Sequence, residues 1–163
     1  MRVFKEEQRF TQTWLIILLS ISSMIPIFLI TKLFYENQMS LNQYIGTMTI
    51  VLISMGLIFI FKLKTRIDES GIHYQFFPFH LKMKTILWKH IKKAKTRKYD
   101  AISEFGGWGL KGGWLWKKNN GIAINVKGNI GIQLELKNGK KVLIGTQKKH
   151  DADSVIERYL YEI

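Results

Sequence analysis

Eighteen consecutive residues, Tyr44 to Phe61, carry no charge, and the chain then places Lys62, Lys64 and Arg66 within five positions. A helix rising about 1.5 Å per residue needs about 20 apolar residues to cross the hydrocarbon core of a bilayer. The basic residues that follow are of the kind that hold such a helix end on the cytoplasmic side. The sequence therefore predicts a membrane span ending at Phe61 and a separate domain beginning at Lys62.

A second uncharged run, Phe10 to Thr31, precedes it. It is too long for the apolar region of a signal peptide, has no Ala-x-Ala-like cleavage site, and is followed by another span. It too reads as a transmembrane helix, with Pro26 tolerated where a neighbouring helix or hydroxyl satisfies the freed carbonyl. Arg2, Lys5 and Arg9 lie before the first run, Lys32 stands against Glu36 in the connection, and three basic residues follow the second. The positive-inside rule then puts both termini in the cytoplasm of a multi-pass inner (plasma) membrane protein. Three segments follow: a cytoplasmic leader (1–9), a transmembrane hairpin (10–61) and a cytoplasmic domain (62–163). Trp14, Phe34, Tyr35 and Tyr44 fall at the expected interfaces. Ser20, Ser22 and Ser23 against Ser54 and Gly56 offer small residues for close helix contact. Neither span holds an ionisable side chain, which argues against a transport pathway.

Of the net charge of +13, all but one arises from Lys62 onward. That surplus favours an anionic neighbour, and for a tethered domain lipid headgroups are nearest. Nucleic acid would need a helix-turn-helix, RNP motif or zinc finger, and none is legible. The chain has no cysteine, hence no disulfide or thiolate chemistry.

Beyond Arg66 the period changes to two. Asp68-Glu69-Ser70-Gly71 is a turn, and Ile72, Tyr74 and Phe76 alternate with His73 and Gln75. Phe77-Pro78-Phe79 breaks the strand. Strands are expected at about Lys84–Trp88 and Ile91–Tyr99, then, after an irregular region 100–120, around Ile122–Val126, Ile130–Leu136 and Val142–Gly145. Asn138-Gly139 signals a hairpin, and Gly128-Asn129 is expected to turn the preceding pair. About seven short strands joined by turns predict antiparallel sheets. A helix from about Ala152 to Glu162, with Asp151 as N-cap, carries the apolar stripe Val155, Ile156, Tyr159, Leu160 and Ile163.

Several stretches resemble bacterial membrane-anchored proteins with a pleckstrin-homology-like (PH-like) domain. They are Ile72-His73-Tyr74, Ile86-Leu87-Trp88-Lys89-His90-Ile91, Gly106-Gly107-Trp108-Gly109, the segment Gly131 to Gly139, and Leu143-Ile144-Gly145-Thr146-Gln147. The resemblance covers roughly residues 60–162, with the hairpin as shared architecture. It implies an α+β membrane protein whose hairpin precedes a small antiparallel β-barrel or sandwich closed by a C-terminal helix.

Two surface features stand out. Phe105 to Trp116 holds five glycines and three tryptophans. If exposed, Trp108, Trp114 and Trp116, on a backbone loosened by Gly107 and Gly109, would form a contact loop for a protein partner. The alternative is that the rings pack on their own domain. Lys82, Lys84, Lys89, Lys92, Lys93, Lys95, Arg97 and Lys98 form an acid-free run. Its bland role is to protect an edge strand, its functional role to face anionic lipid. Gly107-x-Gly109-x-x-Gly112 lacks the strand and helix a dinucleotide site requires. His73, His80, His90 and His150 lack metal-ligand spacing, and neither Asp68 with Glu69 nor Asp151 with Asp153 reads as a catalytic pair. The expectation is a non-enzymatic module, without cofactor or metal, that recruits a protein partner at the membrane. Binding of anionic phospholipid is the alternative, and self-association stays open.

Overall fold

The computed structural model describes residues 3–112 and 121–161 and divides the chain into two units. Residues 10–61 form one, and residues 1–9 join residues 62–163 in the other. In the first, α1 (Thr13–Tyr35) and α2 (Leu41–Gly56), the latter extended by a 3-10 turn Leu57–Ile60, are each long and apolar enough to cross a membrane. Ser40 starts α2 with a capping box: its hydroxyl accepts from the Gln43 backbone while the Gln43 side chain accepts from the Ser40 N–H. Phe34 stacks on Tyr44 at 4.6 Å across the turn. The hydroxyls of Ser22, Ser23, Thr31, Thr47, Thr49 and Ser54 all donate to carbonyls three or four residues earlier in their own helices. A helix surface can thus be polar in sequence and apolar in effect. Ser23 is buried, but Ser20, Ser22, Ser54 and Gly56 are exposed, so the close-contact pairing foreseen between the two helices is not formed there.

The charged leader is itself a strand. β1 (Phe4–Arg9) pairs antiparallel with β2 (Lys62–Asp68), followed by β3 (Gly71–Phe77) and β4 (Lys84–Leu87) in a four-stranded sheet of order β1-β2-β3-β4. Phe4, Glu6 and Gln8 point inward and Lys5, Glu7 and Arg9 outward. Polar residues on the inner face hide the two-residue period from the sequence. Gly71 has φ +152°, and a Cβ there would meet the Ile86 carbonyl, so glycine lets β4 close on the β2–β3 turn.

A 3-10 turn, Trp88–His90, leads into a five-stranded sheet of order β5-β8-β9-β7-β6. Its strands are β5 (Ile91–Lys98), β6 (Gly109–Lys111), β7 (Ile122–Asn125), β8 (Ile130–Leu136) and β9 (Lys141–Gly145). Nine strands are therefore described rather than about seven, and the β7–β9 pair is parallel. The Asn138-Gly139 hairpin joins β8 to β9 as expected, with Gly139 at φ 80°. Gly128-Asn129 does not join neighbours, because β9 lies between β7 and β8. The four-residue connection 126–129 can span two strand spacings of about 4.8 Å each. The region 100–120 also holds a short helix, α3 (Ala101–Phe105), capped by the Asp100 carboxylate and ended by Gly106 at φ 71°.

The closing helix, α4 (Lys149–Tyr161), begins two residues before the expected cap at Asp151 and packs on β1, β2, β5 and β8. Of the foreseen stripe, Val155, Ile156 and Tyr159 are buried and Leu160 is half-buried, against strands that carry the buried Leu63, Ile67, Ile132 and Leu134; Ile163 lies outside the described residues. Tyr159 meets Trp88 at 5.8 Å, and the indole N–H of Trp88 donates to Asp68 O at 2.8 Å. A smaller apolar cluster of Tyr99, Ala101, Phe105, Ala123 and Leu143 is joined by the partly buried Trp108.

Candidate functional site

Antiparallel register places Arg9 opposite Lys62 and Lys62 opposite Phe77. Phe10 and Phe61, the first and last residues of the hairpin unit, are therefore bonded to the two partners of a single rung, Phe10 to Arg9 and Phe61 to Lys62. Alternation sends Lys5, Arg66, His73 and Thr85 to the outer face of this sheet, with Glu7, Lys64 and Gln75 in the next outward row and Arg9, Lys62 and Phe77 in the last. Five cations share that face with two acids. Arg9 and Lys64 pair with Glu7 at 2.8 and 3.6 Å, and Arg66 with Asp68 at 2.8 Å. The hydrogen bond from Arg9 is the main reason the Glu7 carboxyl titrates below its ordinary range. Lys62 lies over the Phe77 ring, 5.5 Å from its centre.

The basic run is divided between two edges. Lys84 is on β4 at one end of the first sheet, and Lys92, Lys93, Lys95, Arg97 and Lys98 are on β5 at one end of the second. β5, charged on both faces, and β4, opened by Lys84, thus both occupy edges, where lysine discourages pairing with other chains. Lys82, Lys84, Lys89, Lys92, Lys93, Lys95 and Lys98 are exposed. Arg97 has another role. It forms a two-pronged pair with Glu104 at 3.1 and 2.7 Å and donates through Nε to Gln133 at 3.1 Å, tying α3 to the sheet. The same pairing lowers the Glu104 carboxyl.

Trp108 turns onto its own domain. It packs against the Tyr99–Phe105 cluster, and its indole N–H donates to Gly128 O at 3.1 Å. Gly107 and Gly109 take φ of 115° and 119°, in the left-handed half of the map that glycine allows. Trp114 and Trp116 lie outside the described residues.

One cluster escaped the sequence reading. Asp68 Oδ1 accepts from Ser70 N at 3.0 Å and Ser70 Oγ at 2.6 Å and meets His73 Nε2 at 3.0 Å, while Oδ2 accepts from Arg66. His73 Nδ1 meets Thr85 Oγ1 at 2.8 Å. Burial raises the Asp68 carboxyl, but hydrogen bonds from Ser70 and His73 outweigh it and hold the group well below the usual carboxylate range. Hydroxyl, imidazole and carboxylate in series are the parts of a general-base relay. Here the carboxylate is engaged by four donors at a hairpin turn, an arrangement that fixes the turn to the β4 edge. Thr85 borders an open hollow of about 390 Å³ with Ile86, His90, Leu136, Lys137 and Asn138. The signal that could have found the cluster is the turn: once Glu69-Ser70 is the loop, Arg66 must face His73.

Among the described residues, no group of three or more His, Asp or Glu side chains is arranged to hold a metal. The chain matches no protein-family model, no curated protein and no solved structure.

Proposed function

We propose that this chain is a membrane-anchored, non-enzymatic module whose PH-like β domain is held against the anionic cytoplasmic leaflet and binds phospholipid headgroups there. Residues 10–61 cross the bilayer twice as a hairpin, and both flanks return to the cytoplasm. The observation that supports this best is the Arg9–Lys62 rung. Two paired strand residues cannot lie on opposite sides of a membrane, so the intervening segment must cross an even number of times. The pairing also leaves no linker, so cations near that rung stay at the headgroups. Lysines there contribute about 1 kcal/mol each when the leaflet is anionic.

A test is native mass spectrometry of the full-length chain, extracted in mild detergent from a mixture of phosphatidylglycerol and phosphatidylcholine. The wild type retains phosphatidylglycerol preferentially, and the triple variant Lys62→Gln, Lys82→Gln, Lys84→Gln loses that preference. Equal retention of both lipids by both proteins would overturn the reading.

Recruitment of a protein partner is the second reading, favoured by the place of β6, within the Gly/Trp segment, at the end of its sheet among the described residues. A strand edge can accept a strand from another chain. In-cell cross-linking that recovers one stoichiometric protein with wild type, and none with Leu110→Pro on β6, would establish it.

A further inference from the structure

The β3–β4 connection, residues 78–83, turns large apolar side chains outward. Phe79 is 64% exposed, Leu81 78% and Met83 42%, and Lys82 and Lys84 are exposed beside them. The segment is nonetheless held firmly. Gln75 Nε2 donates to the carbonyls of His80 at 3.1 Å and Leu81 at 2.8 Å. His80 N donates to Phe76 O at 2.8 Å, and Phe76 N donates back to His80 Nδ1 at 3.3 Å. The His80 ring is buried, and desolvation followed by the Lys84 charge lowers its pKa, in keeping with an accepting Nδ1. Phe79 stacks on Phe76 with centres 5.9 Å apart. The inward turn of His80 thus sets Phe79 and Leu81 on its two sides as outward projections.

The position of this loop in the fold says what it would meet. It leaves β3 at Phe77, the residue opposite Lys62, which is itself opposite Arg9. It therefore springs from the end of the sheet at which the chain enters and leaves the hairpin. The far end, at the Asp68–Gly71 turn, has no such apolar cluster: Glu69 and Ser70 are exposed there.

We infer that Phe79 and Leu81 enter the headgroup–acyl boundary of the bilayer holding the hairpin, while Lys82 and Lys84 engage lipid phosphates. This rests on residues 10–61 being membrane-spanning. Its chemistry is that of interfacial anchors generally: apolar rings and branches seated 5–10 Å deep, roughly at the acyl boundary, with long cationic side chains reaching back to the phosphates. Because the loop is fixed before it meets lipid, little conformational freedom is lost on insertion. The domain is then held at three points, two covalent and one interfacial, which stops it rotating about the Arg9–Lys62 exit.

The cysteine-free chain allows a direct test. Spin labels go on single cysteines at Leu81→Cys, Ile53→Cys in α2 and Glu69→Cys at the far turn, with the full-length protein in nanodiscs containing phosphatidylglycerol. Collisions with a water-soluble nickel complex are expected to be lost at positions 53 and 81 and retained at 69. With the label moved to Met83→Cys, the added substitutions Phe79→Ser and Leu81→Ser restore nickel access. A dry position 53 with position 81 as accessible as 69 overturns the loop assignment and leaves the hairpin intact. A wet position 53 removes the hairpin reading and the inference with it. Spin–spin broadening at 81 assigns the loop to a contact between copies and likewise overturns it.

Discussion

Glu6→Ala is the substitution that asks most of the fold, because β1 is separated from its partner strand by the whole hairpin. The Glu6 carboxylate is buried and accepts from Thr146 Oγ1 at 2.6 Å and from Gln147 N at 2.8 Å, joining the first strand to the segment between β9 and α4. Hydrogen bonds to a charged partner contribute about 1.5–3 kcal/mol each, and a buried hydroxyl left without its acceptor adds to the loss. Removing a carboxylate from a buried site recovers part of that through desolvation. The net cost is about 3 kcal/mol, or roughly 12 °C at about 4 °C per kcal/mol for a domain near this size. Thermal unfolding of the full-length protein in detergent, followed by the fluorescence change as buried Trp88 is exposed, reads it. Glu7→Ala is the control: its ion pairs to Arg9 and Lys64 lie on the exposed outer face and are worth under about 1 kcal/mol. A Glu6→Ala shift no larger than that of Glu7→Ala would refute the integration of β1 into the domain.

Three further outcomes follow from the same geometry. Asp68 has a folded pKa below its unfolded value of about 3.9, so its contribution is present above that pH and is lost as pH falls towards the folded value. Wild type should lose melting temperature below about pH 4 more steeply than Asp68→Asn, and parallel profiles would contradict the pinned turn. Asp153 accepts from Thr96 Oγ1 at 2.6 Å and Thr96 N at 3.2 Å, fastening α4 to β5. Asp153→Ala should cost about 2 kcal/mol and speed amide exchange in α4 before the sheets; uniform acceleration would speak against a local fastening. Arg97→Ala should lower stability by about 1 kcal/mol through loss of Glu104 and Gln133, with lipid retention unchanged, whereas loss of phosphatidylglycerol would return Arg97 to the membrane-facing set.

What the sequence disclosed depended on how cleanly a pattern was written. The two long apolar helices were legible because charge is absent from their apolar runs and abrupt beside them. Strands β3 and β8 were legible from alternation, and the β8–β9 hairpin from Asn138-Gly139. β1 was hidden because Glu6 and Gln8 occupy inward positions, where their partners, Thr146, Gln147 and Gly145, come from residues nearly 140 positions away. No local window contains that information. The parallel β7–β9 pair was missed for the same reason: each strand looks ordinary, and only the sheet order separates β7 from β8. In the site, the Lys82–Lys98 run was visible as charge, but whether each cation was free required the fold. Arg97 is committed to Glu104, whereas the exposed apolar tip at Phe79 and Leu81 looked merely like a strand interrupted by Pro78. Its significance comes from the register that sets Phe77 beside Lys62.

The most direct measurement is sidedness. Single cysteines at Gln38→Cys, between the two helices, and at Glu69→Cys, in the β domain, are treated with a membrane-impermeant maleimide in intact cells and again after lysis. Position 38 is expected to be labelled from outside and position 69 only after lysis. Position 38 protected until lysis, or position 69 labelled from outside, would contradict a hairpin that crosses twice and returns to its own domain.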